Sequence, residues 1–290
     1  IAAPGVIHLE EAIVAPADMV PYLGAGEHSG KEGNLAYHNS LMVQVWGALA
    51  TRETRLMTHV LGTHFPTVVP NATYATYLRC HDDIGWAVTD EDARAVGLNG
   101  PLHRAFLADF YEGVFPGSFA EGALFQHNPA TGDKRNSGTT ASLAGLERAI
   151  AAGDAGGVDR AVDRIEMGHA LIASFGGIPL IYMGDEIALL NDWSYVDVRE
   201  HAHDSRWLHR PRMDWARKAG CWRGCGASSP GGRRRPSCTA PIRPGSPTPA
   251  SRGSSPSCAR RRPGRSSACS ISPNSGRRFG PTGRWRRARA

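Results

Sequence analysis

The chain has 290 residues, 41% hydrophobic and 21% charged, enough apolar material for one large core or two modest ones. Its net charge of +6 hides a division: Arg217–Ala290 holds 17 arginines, one lysine and no acid, so that segment carries +18 and residues 1–216 carry −12. No run of about 18 apolar residues could span a bilayer, the opening IAAPGVIHLEEAIV lacks a signal peptide's charged leader and apolar centre, and a single cysteine before residue 221, Cys80, argues for a body that does not depend on disulfides. The chain opens on Ile, not Met, and reads as a fragment, so its localisation stays open, with the cytoplasm favoured and no membrane partner expected.

In chain order, GVIHLEEAIV (5–14) has the clustered apolar residues of a buried strand ending in acids, and APADMVPYLG (15–24) has the Pro-Ala-Asp opening of a short helix. LAYHNS leads into LMVQVWGALATRETRLMTHVL, where Asn39 or Ser40 caps a helix whose Leu41, Val45, Ala48 and Leu49 recur at helical spacing. ATYATYLRC (72–80), rich in Thr and Tyr, predicts a strand that delivers His81, Asp82 and Asp83 to its C-terminal end. From Gly85 to about Gly157, short amphipathic pieces such as HRAFLADFYEGVF are punctuated by Gly, Asn and Pro, which predicts an inserted subdomain. Val158, Val162, Ile165 and Ile172 mark one face of a helix, and GGIPLIYMGDE (176–186) follows as an apolar strand ending in Asp185 and Glu186. Alternating strands and helices favour an α/β fold with a parallel sheet or barrel. The expected divisions are barrel units over 1–84, the insert over 85–157, a last barrel helix, strand and substrate loop over 158–216, and a tail over 217–290.

The tail has no apolar period and abundant Arg, Pro, Ser and Gly, a composition that cannot offset the entropy of ordering, so disorder is expected there. Out-of-frame translation of a GC-rich gene yields the same residues, and a frameshift near 214–222 is the leading explanation; an intact reading frame through that point would overturn it. Cys221 and Cys225 have a spacing seen in zinc sites, but no second pair follows. Arginines at this density can bind nucleic acid through phosphates without being a selected site, and no nucleic-acid partner is expected.

Chemistry is expected where strands end in acids: Glu11, Asp82 with Asp83, and Asp185 with Glu186. Adjacent carboxylates repel, so a run such as RCHDDIGW needs a compensating role. Two carboxyl groups flanking a glycosidic bond supply one, the first protonating the leaving oxygen while the second attacks the anomeric carbon. A His-Asp pair also serves metal-dependent phosphohydrolases, with His201, His203 and Asp204 as further ligands, although those enzymes carry the pair on a helix. Asp185 and Glu186 are read as structural, and Trp46, Trp193 and Trp207 as core residues.

Seven blocks carry a resemblance: EAIVAP (11–16), LAYHNSLM (35–42), ALATRETRLM (48–57), RCHDDIGW (79–86), GSFAEGALFQHNPATGDKR (117–135), GGIPLIYMGDEIALLND (176–192) and HDSRWLHRPRMDW (203–215). Over Ile7–Trp215 the chain resembles the amylosucrases of the α-amylase superfamily, glycoside hydrolase family 13. The resemblance implies the second half of a (β/α)8 TIM barrel. It makes Glu11 the general acid/base, Asp82 the carboxylate that stabilises the transition state, and His81 a hydrogen-bond partner of the sugar held for transfer. Asp83, Arg135 and Arg206 would line the pocket and its acceptor side, where charged groups can grip paired hydroxyls. Only the alignment of EAIV chooses Glu11 over Glu10. The implied reaction transfers glucose from sucrose to an α-1,4-glucan through a covalent glucosyl-enzyme, releasing fructose with retention; the partners are sucrose and α-glucan, and no metal or cofactor is required. The family's nucleophilic Asp belongs to a Gly-Phe-Arg-x-Asp block on an earlier strand that these residues do not include, and its C-terminal β-domain is replaced by the tail. The chain alone is therefore expected to be inactive, an open half-barrel. Trehalose synthases and α-glucosidases share the strand-ending His-Asp and Gly-Ile-Pro blocks and remain alternatives.

Overall fold

The computed structural model describes residues 5–65 and 71–215. Every described residue belongs to one compact unit. The expectations for the tail, namely disorder, the frameshift, the Cys221–Cys225 spacing and phosphate binding, lie outside the described residues.

The fold is α/β around a four-stranded parallel sheet of β1 (Leu9–Glu10), β2 (Leu35–Tyr37), β3 (Thr73–Tyr77) and β7 (Ile178–Leu180), in the order β1-β2-β3-β7. Parallel strands need long crossovers. Here they contain α1 (Pro16–Leu23) after β1, and α2 (Asn39–Thr51) with α3 (Arg55–His64) after β2. The register pairs Glu10 with Ala36, Tyr37 with Ala75 and Tyr77 with Leu180, so the strands finish near one level and their following loops emerge at one end of the sheet.

Between β3 and β7 the chain forms a second, antiparallel sheet of β4 (Ile84–Gly85), β5 (Ala123–His127) and β6 (Lys134–Ser137), in the order β4-β6-β5, with α4 (Asp90–Ala95) and α5 (Gly100–Glu112) preceding β5. The short helices α6 (Thr140–Leu143) and α7 (Leu146–Ala151) then lead to α8 (Ala155–Ser174), which returns the chain to β7. One cluster of buried residues joins the α2, β3, α5 and α8 segments, including Trp46, Leu78, Trp86, Leu107, Tyr111 and Ile165. Polar atoms inside it are paired: Trp46 Nε1 donates to Leu78 O at 3.0 Å, Tyr111 Oη to Trp46 O at 2.5 Å, and Trp86 Nε1 to Asn136 Oδ1 at 2.7 Å. Burial of these aromatic faces without orphaned donors ties the insert to the main sheet's helices.

Several elements differ from expectation for local reasons. The strand expected over 5–14 contracts to Leu9–Glu10 and that over 176–186 to Ile178–Leu180. Among the described residues both lie at sheet edges with one partner each, and Ile7, Ile13, Ile178 and Ile181 are about half exposed or more. The helix expected from residue 41 to 61 is two helices, because Arg52 adopts a left-handed conformation (φ 58°) that ends α2. Its N-cap is neither Asn39 nor Ser40 but His38, whose Nδ1 accepts the Leu41 N–H at 3.2 Å. The apolar face expected on α8 is present, with Ile165 and Ile172 buried. Trp46 is core, whereas Trp193 is 42% exposed and donates to Glu147. Among the described residues no helix is long and apolar enough to cross a membrane.

Candidate active site

The loops leaving β1 and β3 bring Glu11, one of the acids singled out from sequence, against His81. Glu11 follows β1 directly, and its Oε1 lies 3.6 Å from Nε2 of His81, which follows β3; both side chains are more than half exposed. Asp82 and Asp83 come next on the same turn. Asp82 accepts from Arg206 Nη1 at 3.0 Å, and Asp83, buried, accepts from Arg135 Nη1 at 3.4 Å. All six expected residues thus fall into linked contacts: Glu11 with His81, and through the adjoining backbone to Asp82 with Arg206 and Asp83 with Arg135.

Each arginine is delivered by a different element. Arg135 lies on β6, where it pairs with Gly85 of β4, two residues from Asp83. Arg206 lies in a 3-10 turn, Ser205–His209, seated on the insert because Ser205 Oγ donates to Leu124 O at 3.0 Å. Asp204 accepts the Arg206 N–H and grips its guanidinium through both carboxylate oxygens, at 2.8–3.2 Å. The guanidinium also lies 4.7 Å from the centre of the Phe125 ring. Arg206 therefore bridges Asp204 and Asp82, 124 residues apart in sequence from the latter.

The two adjoining carboxyls are driven apart electrostatically. Burial acts to raise the Asp82 pKa, but hydrogen bonds from Arg206 and from Asp83 outweigh it and hold the carboxyl at about 2. For Asp83 burial acts in the same direction as the hydrogen bond and charge of Asp82, and together they push it up to about 6 against the pull of Arg135. Such a pair holds one shared proton between the two steps. The arrangement therefore presents an ionised carboxylate beside a protonatable one.

Other acids have different roles. Asp185 is buried and accepts from Thr140 Oγ1 at 2.9 Å, with His169 Nε2 at 3.4 Å, which anchors the loop after β7 to α6 and α8. Of the residues named as additional metal ligands, His201 stacks on the Trp207 ring with centroids 3.6 Å apart and Asp204 is occupied by Arg206. Among the described residues no group of three or more His, Cys, Asp and Glu side chains is arranged to hold a metal ion. Three residues around the site were not anticipated. Arg79, fully buried, donates to Asp82 O at 2.6 Å, while His209 and Arg210 both contact His81 O, at 3.1 and 2.8 Å. A charged residue inside the apolar strand tail YLRC was the available signal for the first.

No family model matches the chain. It is 28% identical over 187 residues to the trehalose synthase/amylase TreS of Mycolicibacterium smegmatis and to that of Mycobacterium tuberculosis, covering 64% of this chain and 25% of each relative. It is 27% identical over 192 residues to the trehalose synthase of a Pimelobacter species, covering 64% of this chain and 27% of that protein. The chain thus spans about a quarter of the length of these relatives. A sucrose 6F-phosphate phosphorylase from Thermoanaerobacter thermosaccharolyticum superposes with a TM-score of 0.43 at 18% identity, over 70% of this chain and 35% of that one, too loose a likeness to carry an argument. The sequence similarity is a distant kinship with trehalose synthases, which are enzymes of the α-amylase superfamily.

Proposed function

We propose that this chain carries part of the active site of an α-amylase-superfamily enzyme of the amylosucrase kind, which moves glucose from sucrose to an α-1,4-glucan with retention. The observation that supports this reading is that Glu11 meets His81 across the C-terminal ends of two parallel strands of one sheet, with Asp82 and Asp83 on the same loop as His81 and paired to Arg206 and Arg135. In this reading the strands are part of a (β/α)8 barrel. Glu11 protonates the leaving fructosyl oxygen, Asp82 stabilises the oxocarbenium-like transition state, and His81 holds a glucosyl hydroxyl. Asp83 and Arg135 stand toward the acceptor, and Arg206 keeps Asp82 ionised. The Gly-Phe-Arg-x-Asp block that holds the family's nucleophile is not among these residues, so binding is the appropriate test of them.

Saturation-transfer NMR with sucrose, maltose and trehalose makes the test. Saturation should reach the glucosyl ring of sucrose, and both His81→Ala and Asp83→Asn should weaken sucrose binding by about tenfold, the loss of one hydrogen bond to a hydroxyl. Absence of binding by any of the three sugars would sink the proposal. A second reading, an enzyme of the trehalose synthase or amylase kind, is favoured by the names of the relatives. Preference for trehalose and maltose over sucrose in the same experiment would select it.

A further inference from the structure

Three side chains beneath the site make contacts that a sugar-facing role does not explain. Arg79 and His209 are both fully buried. The usual companion of a buried guanidinium is a carboxylate, yet among the described residues no acid lies within ion-pairing distance of Arg79. Its donors go instead to main chain, with Nη2 on Asp82 O at 2.6 Å and Nε on Gly138 O at 3.0 Å. His209 Nε2 meets His81 O at 3.1 Å, and Arg210 Nε donates to the same carbonyl at 2.8 Å. A carbonyl can only accept, so Nε2 of His209 carries its proton, and burial, which drives its pKa well below the ordinary range, keeps the ring neutral. Arg79 Nη1 and His209 Nδ1 have no partner among the described residues, a cost to folding that neither side chain would incur in the absence of a compensating role.

The geometry of the peptide unit shows what that role is. The carbonyls of His81 and Asp82 belong to the two rigid planes that flank the Asp82 Cα, and a residue held in both planes has lost its two soft backbone dihedrals. We propose that Arg79 and His209, with Arg210 as a second donor on the His81 carbonyl, are positioning residues that lock the backbone of Asp82 and so aim its carboxylate at Arg206 and the site. This rests on the reading of Asp82 as a working carboxylate. The hydrogen bond from Arg79 to Gly138 adds a second constraint. Gly138 directly follows β6, which carries Arg135, so one guanidinium holds the turn bearing Asp82 in register with the strand that faces Asp83.

The test is a pH titration of the Asp82 and Asp83 carboxyl carbons by NMR in the full chain. It compares the parent with Arg79→Met, His209→Phe, His209→Gln and Arg210→Ala, with unfolding temperature measured alongside. In Arg79→Met and His209→Phe the Asp82 step, about 2 in the parent, should rise by about one, a tenfold loss of preference for the ionised form as Arg206 loses an aligned target. His209→Gln, whose amide N–H can reach the same carbonyl, should restore the parental step even where the unfolding temperature stays lowered. A folded Arg79→Met or His209→Phe chain whose Asp82 step remains at about 2 overturns the proposal. If neither folds, Arg210→Ala decides: removal of this partly exposed donor should give a smaller rise, and an unchanged step overturns the proposal equally. No sugar takes part, so failure of the glucosyl-transfer reading would appear separately, as loss of sugar binding by the parent with these titrations unaffected.

Discussion

Replacing Arg135 by Gln tests whether Asp82 and Asp83 act as a coupled pair. The Asp83 carboxyl is pushed up to about 6 by burial and by Asp82, while Arg135 pulls it down across 3.4 Å. Coulomb's law over that gap gives about 1 kcal/mol at the dielectric of water and about 5 kcal/mol at an effective dielectric of about 20. The Arg135 side chain is 44% exposed, so solvent screens the pair toward the lower figure. About 1.4 kcal/mol corresponds to one pKa unit, so Arg135→Gln should move the upper step of the pair from about 6 to about 7. The lower step, held by Arg206, should move much less. Carboxyl-carbon NMR against pH reads both steps directly. Stability gives an independent check. The folded value for Asp83 lies above the ordinary 3.8, so the folded state holds this proton more tightly than the unfolded chain. Its contribution to stability is therefore complete in acid and is lost as pH rises from about 3.8 through 6. In Arg135→Gln that loss should continue to about pH 7, visible as a larger fall in unfolding temperature between pH 5 and pH 8. An upper step that stays in place, or falls, would refute the pairing.

Three further outcomes follow from the same structure. Arg206→Gln should raise the Asp82 step from about 2 toward the ordinary carboxylate value and, since a depressed carboxyl contributes its stability above 3.8 and loses it as pH falls through about 2, should flatten the acid limb of a stability-pH curve. Burial lowers His38 to about 4, so the neutral ring's contribution is present above about 6.5 and fades as pH falls toward 4; His38→Asn, which keeps a cap acceptor, should remove up to about 3 kcal/mol of pH dependence in denaturant titrations. Gly177→Ala places a Cβ 2.3 Å from the carbonyl oxygen of Tyr74 at a φ of 107°, and should destabilise the β3–β7 pairing by about 2 kcal/mol or more in thermal unfolding.

The parts of the fold legible in the sequence are those decided by local pattern. TYATY is a strand because its β-branched and aromatic residues pack between two neighbours, and α8 is a helix whose Ile165 and Ile172 recur on one buried face. What pattern could not show is where such elements stop. GVIHLEEAIV has apolar residues enough for a long strand, but an edge position with a single partner supports only Leu9–Glu10. Arg52 ends α2 in a conformation that sequence rules reserve for Gly or Asn, and His38 caps it where Asn and Ser stand next in line. The second outcome is set by neighbours distant in sequence: the His38 ring centre lies 4.4 to 5.1 Å from those of Phe65, Tyr74 and Phe175, so the ring is fixed in place before the helix begins.

The site divides along the same line. That His81, Asp82 and Asp83 stand at a strand end followed from the sequence, because a polar, acidic turn after an apolar strand has few other places to go. That Glu11 reaches His81, and Arg206 reaches Asp82, did not follow from any spacing. Those contacts depend on parallel register, which sets Glu10 beside Ala36 and Tyr37 beside Ala75 and so brings the ends of β1 and β3 to one level. They depend also on a turn near residue 206 seated on an antiparallel sheet from another part of the chain. Resemblance to a family could supply the identities of these residues, but it says nothing of what holds them. The hydrogen bonds to the carbonyls of His81 and Asp82 come from Arg79, within the strand tail, and from His209 and Arg210, well over a hundred residues later. An interaction between side chain and main chain leaves little trace in residue type at its accepting end, since every residue offers the same carbonyl. The support beneath a site is for that reason harder to read from sequence than the site itself.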